Sequence, residues 1–304
     1  GYDMCPTQTF CRDTVTEEVR RMAEAGIDYI QLLDQNHGGT PYLCYARNHG
    51  HPPVPGRWAS DAMLELLQEA REAASSSILF GCESAASEVF IPDLPFSDNR
   101  FELNFILGMP VPLYAYLYHP YVNNFMGNQV CGEGAMDGCR TKDNLQYRLA
   151  YAFAAGDFLT LVINDEGLVQ WAWGQQNFDE AYMPDGDTAI RLARNLNAWR
   201  TGAGRKYLHT GRMIRPLEVT GAPLRELATK AGIRSVPAVL TARYEASDGE
   251  KGQFLVNYTT EPVAVRLPEG GGMRLITDPS GKGKSFPIRK AVTVPALSAL
   301  LIEE

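Results

Sequence analysis

Nothing in the 304-residue sequence approaches the roughly 18 consecutive apolar residues that a membrane span requires, which sets a transmembrane role aside. The opening Gly1-Tyr2-Asp3-Met4 has neither the basic nor the apolar region of a secretion signal. Because the first residue is Gly rather than Met, a lost leader and the localisation both stay open. Basic residues are the minority, 28 Lys and Arg against 36 Asp and Glu for a net charge of −8, which argues against a binder of duplex nucleic acid, whose phosphates need a basic surface. Histidines number five and cysteines six. The cysteines (5, 11, 44, 82, 131 and 139) all fall in the first half without a CxxC pair, so neither a zinc ribbon, a redox motif nor a disulfide framework is expected. No P-loop, GxGxxG or GxSxG segment occurs, which argues against ATP, NAD and serine-hydrolase chemistry. Internal repeats and low-complexity tracts are also lacking.

What remains is the composition of an ordinary globular protein, 45% hydrophobic with 28 Gly and 19 Pro, long enough for about two domains. Thr14 to Ala25 carries Val15, Val19, Met22 and Ala23 at helical spacing ahead of Gly26, and runs into the apolar stretch from Ile27 to Leu33, a buried strand followed by Asp34. The unit repeats as a helix from Ser60 to Ala74 and a strand from Ile78 to Cys82, followed by Glu83. Further strands are expected over Val111–Tyr118 and Phe158–Ile163, and helices over Asn144–Ala154 and 180–200. A fifth strand is sought near Glu88–Ile91 or Phe101–Phe105. From about 205 the pattern changes to short β-rich segments (Ala238–Tyr244, Gly252–Tyr258, Val263–Leu267, Met273–Thr277, Ala291–Ile302) between Gly, Pro and Asp turns, as in a small antiparallel β-sandwich. The expected fold is α/β: a (β/α)8-type, TIM-like barrel domain over 1–204 and a sandwich over 205–304. Four or five strands are about half of such a barrel, so either an upstream segment of a longer chain or a second copy is expected to complete it. Unpaired strand edges do not stay free.

Two carboxylates at the C-terminal ends of buried strands, Asp34 and Glu83, are the sharpest chemical feature, because that edge is where ligands bind in parallel α/β sheets. A carboxylate pair is what glycoside hydrolysis needs; capping of a strand or helix is the structural alternative. The string CPTQTF…VRRMAEAGIDYIQLLDQ…CYARNHGHP…FGCESAASEVF, over about residues 4–120, resembles an uncharacterised bacterial family of glycoside-hydrolase-like (β/α)8 proteins. That family is similar to endo-α-N-acetylgalactosaminidases and to α-amylase-like barrels. The resemblance implies Asp34 as nucleophile and Glu83 as proton donor. Separately, Ser97-Asp98-Asn99 resembles the Ser-Asp-Asn of melibiase-type α-galactosidases, where the Asp is the acid/base. Asp98 thus competes with Glu83, or else caps a helix near Arg100. The Glu83-Ser84-Ala85-Ala86 run departs from the Gly-rich melibiase pattern and favours Glu83. The C-terminal LVNYTTEPVAVRLPEG…VPALSALLIEE is similar to the sandwich that closes many α-glycosidases.

The loop from Gln35 to Trp58 is expected to overhang the same edge. Its His37, Arg47, His49 and His51 can bind sugar hydroxyls, with Tyr42, Tyr45 and Trp58 for stacking. Zinc ligation by Cys44, His49 and His51 is chemically open, but one HxH and a cysteine fall short of spaced zinc motifs, so no metal site is assigned. Gln35, Cys82, His119 and Trp171, the last in QWAWG with Trp173, complete the expected substrate contacts. Tyr114, Tyr116 and Tyr118 are expected to alternate across their strand. The sequence therefore predicts a retaining glycoside hydrolase for an α-linked glycan, needing no cofactor. Its alternatives are a carbohydrate-binding or inactive relative and a metal-dependent hydrolase.

Overall fold

Val15 and Val19 turn inward together with Cys11, and this spacing carries the first helix, α1 (Thr9–Glu24), further upstream than Thr14. The computed structural model describes residues 4–33, 37, 43–53, 55–74, 78–99, 103, 105–106, 108–127, 141, 143–170, 185–229, 231–268, 272–281, 286–287 and 291–304. The chain divides into two units, Gly1–Asp98 and Asn99–Glu304.

In the first unit α1 is followed by β1 (Tyr29–Gln31), α2 (Arg57–Ala73), β2 (Leu79–Gly81) and β3 (Phe96–Asp98). The end of α1 is set by Gly26, whose φ of 81° suits a residue without Cβ. Gly26 N–H donates to Ala23 O and Ile27 N–H to Met22 O, a Schellman termination that delivers the chain into β1. On α2, Ala62, Met63, Leu66, Leu67 and Ala70 form one buried stripe. Arg12 of α1 forks between Glu65 (2.8 Å) and Glu69 (2.9 Å) of α2. These partners are partly exposed, so the apolar stripe holds the helices together and the ion pairs add only about 0.2–1 kcal/mol each.

Strands β1 and β2 pair in parallel, Tyr29 opposite Leu79 and Gln31 opposite Gly81, with α2 as the crossover that parallel neighbours require. Gly81 is forced by its surroundings: a Cβ there would lie 1.7 Å from Phe96 O and 2.4 Å from the Tyr29 hydroxyl. Its bareness lets β3 approach β2, and Asp98 N–H donates to Cys82 O at 3.1 Å.

The second unit comprises α3 (Leu113–Tyr118), β4 (Asn123–Phe125), α4 (Asp143–Ala155), β5 (Val162–Ile163), β6 (Val169–Gln170), α5 (Gly186–Thr201) and α6 (Arg205–Leu208). There follow β7 (Arg212–Ile214), β8 (Leu224–Thr229), β9 (Gly232–Pro237), β10 (Val239–Glu245), β11 (Lys251–Asn257) and β12 (Val263–Arg266). Last come β13 (Arg274–Ile276), β14 (Phe286–Pro287), β15 (Ala291–Val294) and β16 (Ser298–Glu303). An antiparallel sheet in the order β14-β13-β16-β11-β10-β7 is its framework. Alternation along the strands splits two cores. Phe254 and Val256 of β11 and Ala299 and Leu301 of β16 join Phe153, Leu196, Trp199 and Tyr207 of the helices. Leu255, Leu300 and Ile302 join Val263, Val265, Val292 and Val294 of the β12–β15 pair. The expected boundary at 204/205 therefore falls inside a shared core, because α4 and α5 cover one face of this sheet.

Several expected elements are corrected. The run VPLYAYLY forms α3, not a strand: Tyr116 N–H donates to Pro112 O, and Tyr114 and Tyr118 meet one helical turn apart with rings 5.1 Å apart. Of FLTLVI only Val162–Ile163 is a strand, although Phe158 makes a parallel bridge to Phe125 of β4. Glu88–Phe90 is a 3-10 turn, and Ala291–Ile302 splits at Leu297, whose φ is 50°. Residues 101–102 and 104 of the other candidate strand lie outside the described residues. Among the described residues the strands do not close into a barrel, which leaves the TIM-like expectation without its closed sheet. No helix among them is long and apolar enough to cross a membrane.

Candidate active site

Parallel pairing of β1 and β2 makes both strands end at the same edge, with Gln31 and Gly81 in register. Glu83 leaves that edge two residues beyond β2 and is half-buried. Asp34 follows Leu33 but lies outside the described residues, as do Gln35, Tyr42, Arg100, Trp171 and Trp173. Leu33 adopts φ 55°, left-handed backbone that a bulky residue rarely accepts. Such strain collects where the surroundings over-determine the chain, functional sites prominent among them. Asp98 ends β3, fully buried.

Three expected substrate contacts are interior groups instead. Cys82 is fully buried, its thiol donating to Ser84 O at 2.7 Å, and burial raises its pKa. It packs the strand end and is closed to a ligand. His37 is fully buried edge-on to Phe90, ring centroids 5.0 Å apart, while its carbonyl accepts from Ser87 N–H. Burial pushes its pKa down to about 4. His119 belongs to the second unit, at the end of α3, where its Nδ1 lies 2.7 Å from Gly211 O and its ring packs on Tyr244. A carbonyl can only accept, so the neutral ring carries its proton on Nδ1. Their residue types suggested ligand contact, but packing decided otherwise.

Burial also pushes the pKa of His119 down to about 4. The unfolded chain therefore takes up a proton between about pH 6.5 and 4 that the native ring refuses, and stability is lost as the pH falls through that window, by up to about 1.4 kcal/mol per pH unit for the group. Urea unfolding at pH 7, 6 and 5 is expected to show this decline, and His119→Gln to make it shallower. Equal slopes in the two proteins would refute the assignment.

The remaining loop residues form a different constellation. His51 stacks on Trp58, in the first turn of α2, with ring centroids 3.6 Å apart and planes within 9°. His49 Nδ1 lies 3.4 Å from Cys44 Sγ and His51 Nε2 lies 3.4 Å from Cys5 Sγ. Arg47 and Tyr45 remain exposed. Sequence reasoning missed Cys5, although it opens the CPTQTF segment of the string that carries the family resemblance. It also missed the buried polar group of Asn99, Arg148 and Asp157 in the second unit, where Asn99 Nδ2 donates to Asp157 Oδ2 at 3.2 Å and Arg148 to Met126 O at 2.8 Å. A cavity of about 610 Å³ between α1 and α2 is lined by Arg12, Arg20, Glu69 and Glu72 and by none of the candidate site residues.

A family model described as a domain of unknown function, DUF6259, matches residues 2–128. No curated protein matches the chain. Among solved structures the chain is similar to Amy13B of Eubacterium rectale, with 11% identity, 99% of this chain and 65% of that chain covered, and a TM-score of 0.52. It is likewise similar to the maltogenic α-amylase AmyB of Thermotoga neapolitana, with 12% identity, coverages of 98% and 66%, and a TM-score of 0.52. A GH27 β-L-arabinopyranosidase of Geobacillus stearothermophilus matches at 9% identity, coverages of 97% and 61%, and a TM-score of 0.44. The chain thus spans 61–66% of the length of these proteins. At these identities the likeness is one of fold alone.

Proposed function

We propose that this chain carries the catalytic carboxylates of a retaining glycoside hydrolase acting on an α-linked glycan. The observation that supports this most is the parallel, in-register pairing of β1 with β2, because it brings the strand that precedes Asp34 in sequence and the strand that precedes Glu83 to end at one sheet edge. The left-handed backbone at Leu33 and the likeness of the fold to the maltogenic α-amylase AmyB add support. In the proposed reaction the Asp34 carboxylate attacks the anomeric carbon while Glu83, as the acid, protonates the departing glycosidic oxygen. Glu83, now a carboxylate, then takes a proton from water, which displaces Asp34 from the anomeric carbon and releases the sugar with its configuration retained. Between Glu83 and Asp98, the half-buried Glu83 is the better acid/base, because the fully buried Asp98 is closed to substrate. Arg47 is the exposed loop donor suited to a sugar hydroxyl.

A panel of aryl α-glycosides tests this reading, with proton NMR following the first-formed anomer. Turnover with release of the α-anomer is expected. Release of the β-anomer would overturn the double displacement, and sugar binding without turnover would move the protein to the carbohydrate-binding class.

A further inference from the structure

Four side chains that glycoside hydrolysis does not use converge in the first unit. Cys5 precedes α1, and Cys44, His49 and His51 lie between β1 and α2. One ligand atom from each lies within 4.8 Å of all the others. Two of these approaches pair a sulfur with a nitrogen: Cys5 Sγ to His51 Nε2 and Cys44 Sγ to His49 Nδ1, both 3.4 Å. Tetrahedral zinc, with Zn–S near 2.3 Å and Zn–N near 2.0–2.1 Å, separates a sulfur from a nitrogen ligand by about 3.5 Å. Both sulfur–nitrogen edges thus fit the tetrahedron without rearrangement.

The surroundings prepare the donors. His51 Nδ1 lies 2.8 Å from Pro52 O. That carbonyl keeps the proton on Nδ1 and leaves the Nε2 lone pair facing Cys5, as outer partners of metal-bound histidines do. The stacked Trp58 fixes the plane of the same ring. Thr7 Oγ1 is 3.1 Å from Cys5 Sγ and donates to His49 O at 3.2 Å, and Gln8 Nε2 donates to the same carbonyl at 3.0 Å. The segment bearing Cys5 and the loop bearing the histidines are therefore held together by bonds outside the cluster.

We infer that Cys5, Cys44, His49 and His51 form a closed, structural zinc(II) site. Two thiolates and two imidazoles are a donor set suited to zinc, and four protein ligands leave no position open for catalytic water. Binding takes the protons from both thiols and leaves a neutral centre, two protons being released per zinc bound. The ion ties the N-terminal segment to the far end of the loop that follows Asp34. This assignment replaces the expectation of no metal at this loop, and gives His49 and His51 a structural task in place of sugar recognition. It stands independently of the proposed hydrolase activity.

The test uses the whole chain, purified under reducing conditions. Elemental analysis is expected to find one zinc per chain. Replacing zinc by cobalt(II) is expected to give the strong visible bands of tetrahedral cobalt and a thiolate charge-transfer band in the near ultraviolet. Peptide mapping after alkylation is expected to show Cys5 and Cys44 modified roughly tenfold more slowly with zinc than after chelation, with the buried Cys11 and Cys82 as references. Cys5→Ser and His49→Ala should each abolish stoichiometric zinc; should they not fold, the cobalt spectrum and the alkylation map of the unmutated chain decide. Absence of zinc with no uptake on titration, an octahedral cobalt spectrum, or a Cys5–Cys44 disulfide in the reduced preparation would each overturn the site. A zinc-loaded chain without glycosidase activity would sink only the proposed function, and an active chain without zinc only this inference.

Discussion

Replacing Glu83 by Gln is expected to lower kcat by about 10²–10⁴-fold for glycosides with poor leaving groups, the range that a positioned general acid contributes. The amide keeps the shape of the side chain but cannot give a proton to the departing oxygen. For aryl glycosides whose phenol leaves without help, the first step should survive and the glycosyl-enzyme should accumulate, because its hydrolysis still needs a base. The expected signature is a burst of phenol followed by a slow steady state. Azide, a nucleophile that needs no base, should restore turnover and give a glycosyl azide of retained configuration. Asp34→Asn should lose at least as much activity with every leaving group, show no burst and resist azide at small concentrations, since no covalent intermediate forms. A Glu83→Gln protein with unchanged kinetics beside an inactive Asp98→Asn protein would transfer the acid to Asp98 and revive the melibiase-type assignment. Equal activity in all three would remove the carboxylate mechanism.

The strand ends carrying that prediction were legible because their signals are local. A continuous apolar run, a glycine at the helix end and a 3.6-residue stripe all act within a few residues, and β1, α2 and β2 duly appear near their expected places. The run from Val111 to Tyr118 was ambiguous for the same reason. Its apolar residues alternate as in a strand, yet Tyr114 and Tyr118 are also spaced to pair on a helix, and the fold chose the helix. The hairpin of β8 and β9 escaped notice since Leu224, Arg225, Glu226 and Ile233 are exposed, and only Leu227, Thr229 and Val236 turn into the core, too few to write a regular alternation into the sequence. Site residues divide along the same line. Glu83 could be placed by the end of its strand, whereas the burial of His37, Cys82 and His119 depends on distant packing partners. Cys5 was invisible as a ligand because its nearest donor, His51, is remote in sequence and nothing local marks the pair.

Replacing Arg200 by Met is expected to destabilise the second unit by on the order of 3–5 kcal/mol, the cost of stripping a buried group from its partners. Arg200 ends α5 with only 2% of its surface exposed. Its guanidinium donates to Leu208 O at 2.8 Å, to Asp157 O at 2.8 Å and to Gly156 O, closing the ends of α6 and α4 together. The plane also lies over the Phe158 ring, 4.4 Å from its centroid. Burial draws the pKa down to about 10, so the group remains charged at pH 7 and the carbonyl dipoles, with the nearby Asp157, offset its lost hydration. Met fills similar space but gives no donors, leaving those carbonyls with lost hydrogen bonds where water cannot readily replace them. At about 2–4 °C per kcal/mol for a unit of this size, thermal unfolding should begin roughly 10 °C lower. Arg200→Lys should fall between, because one ammonium cannot span three carbonyls in two directions. A Met variant that melts within a degree or two of the parent would show that these helix ends are held by the apolar core around Trp199 and Phe254 alone.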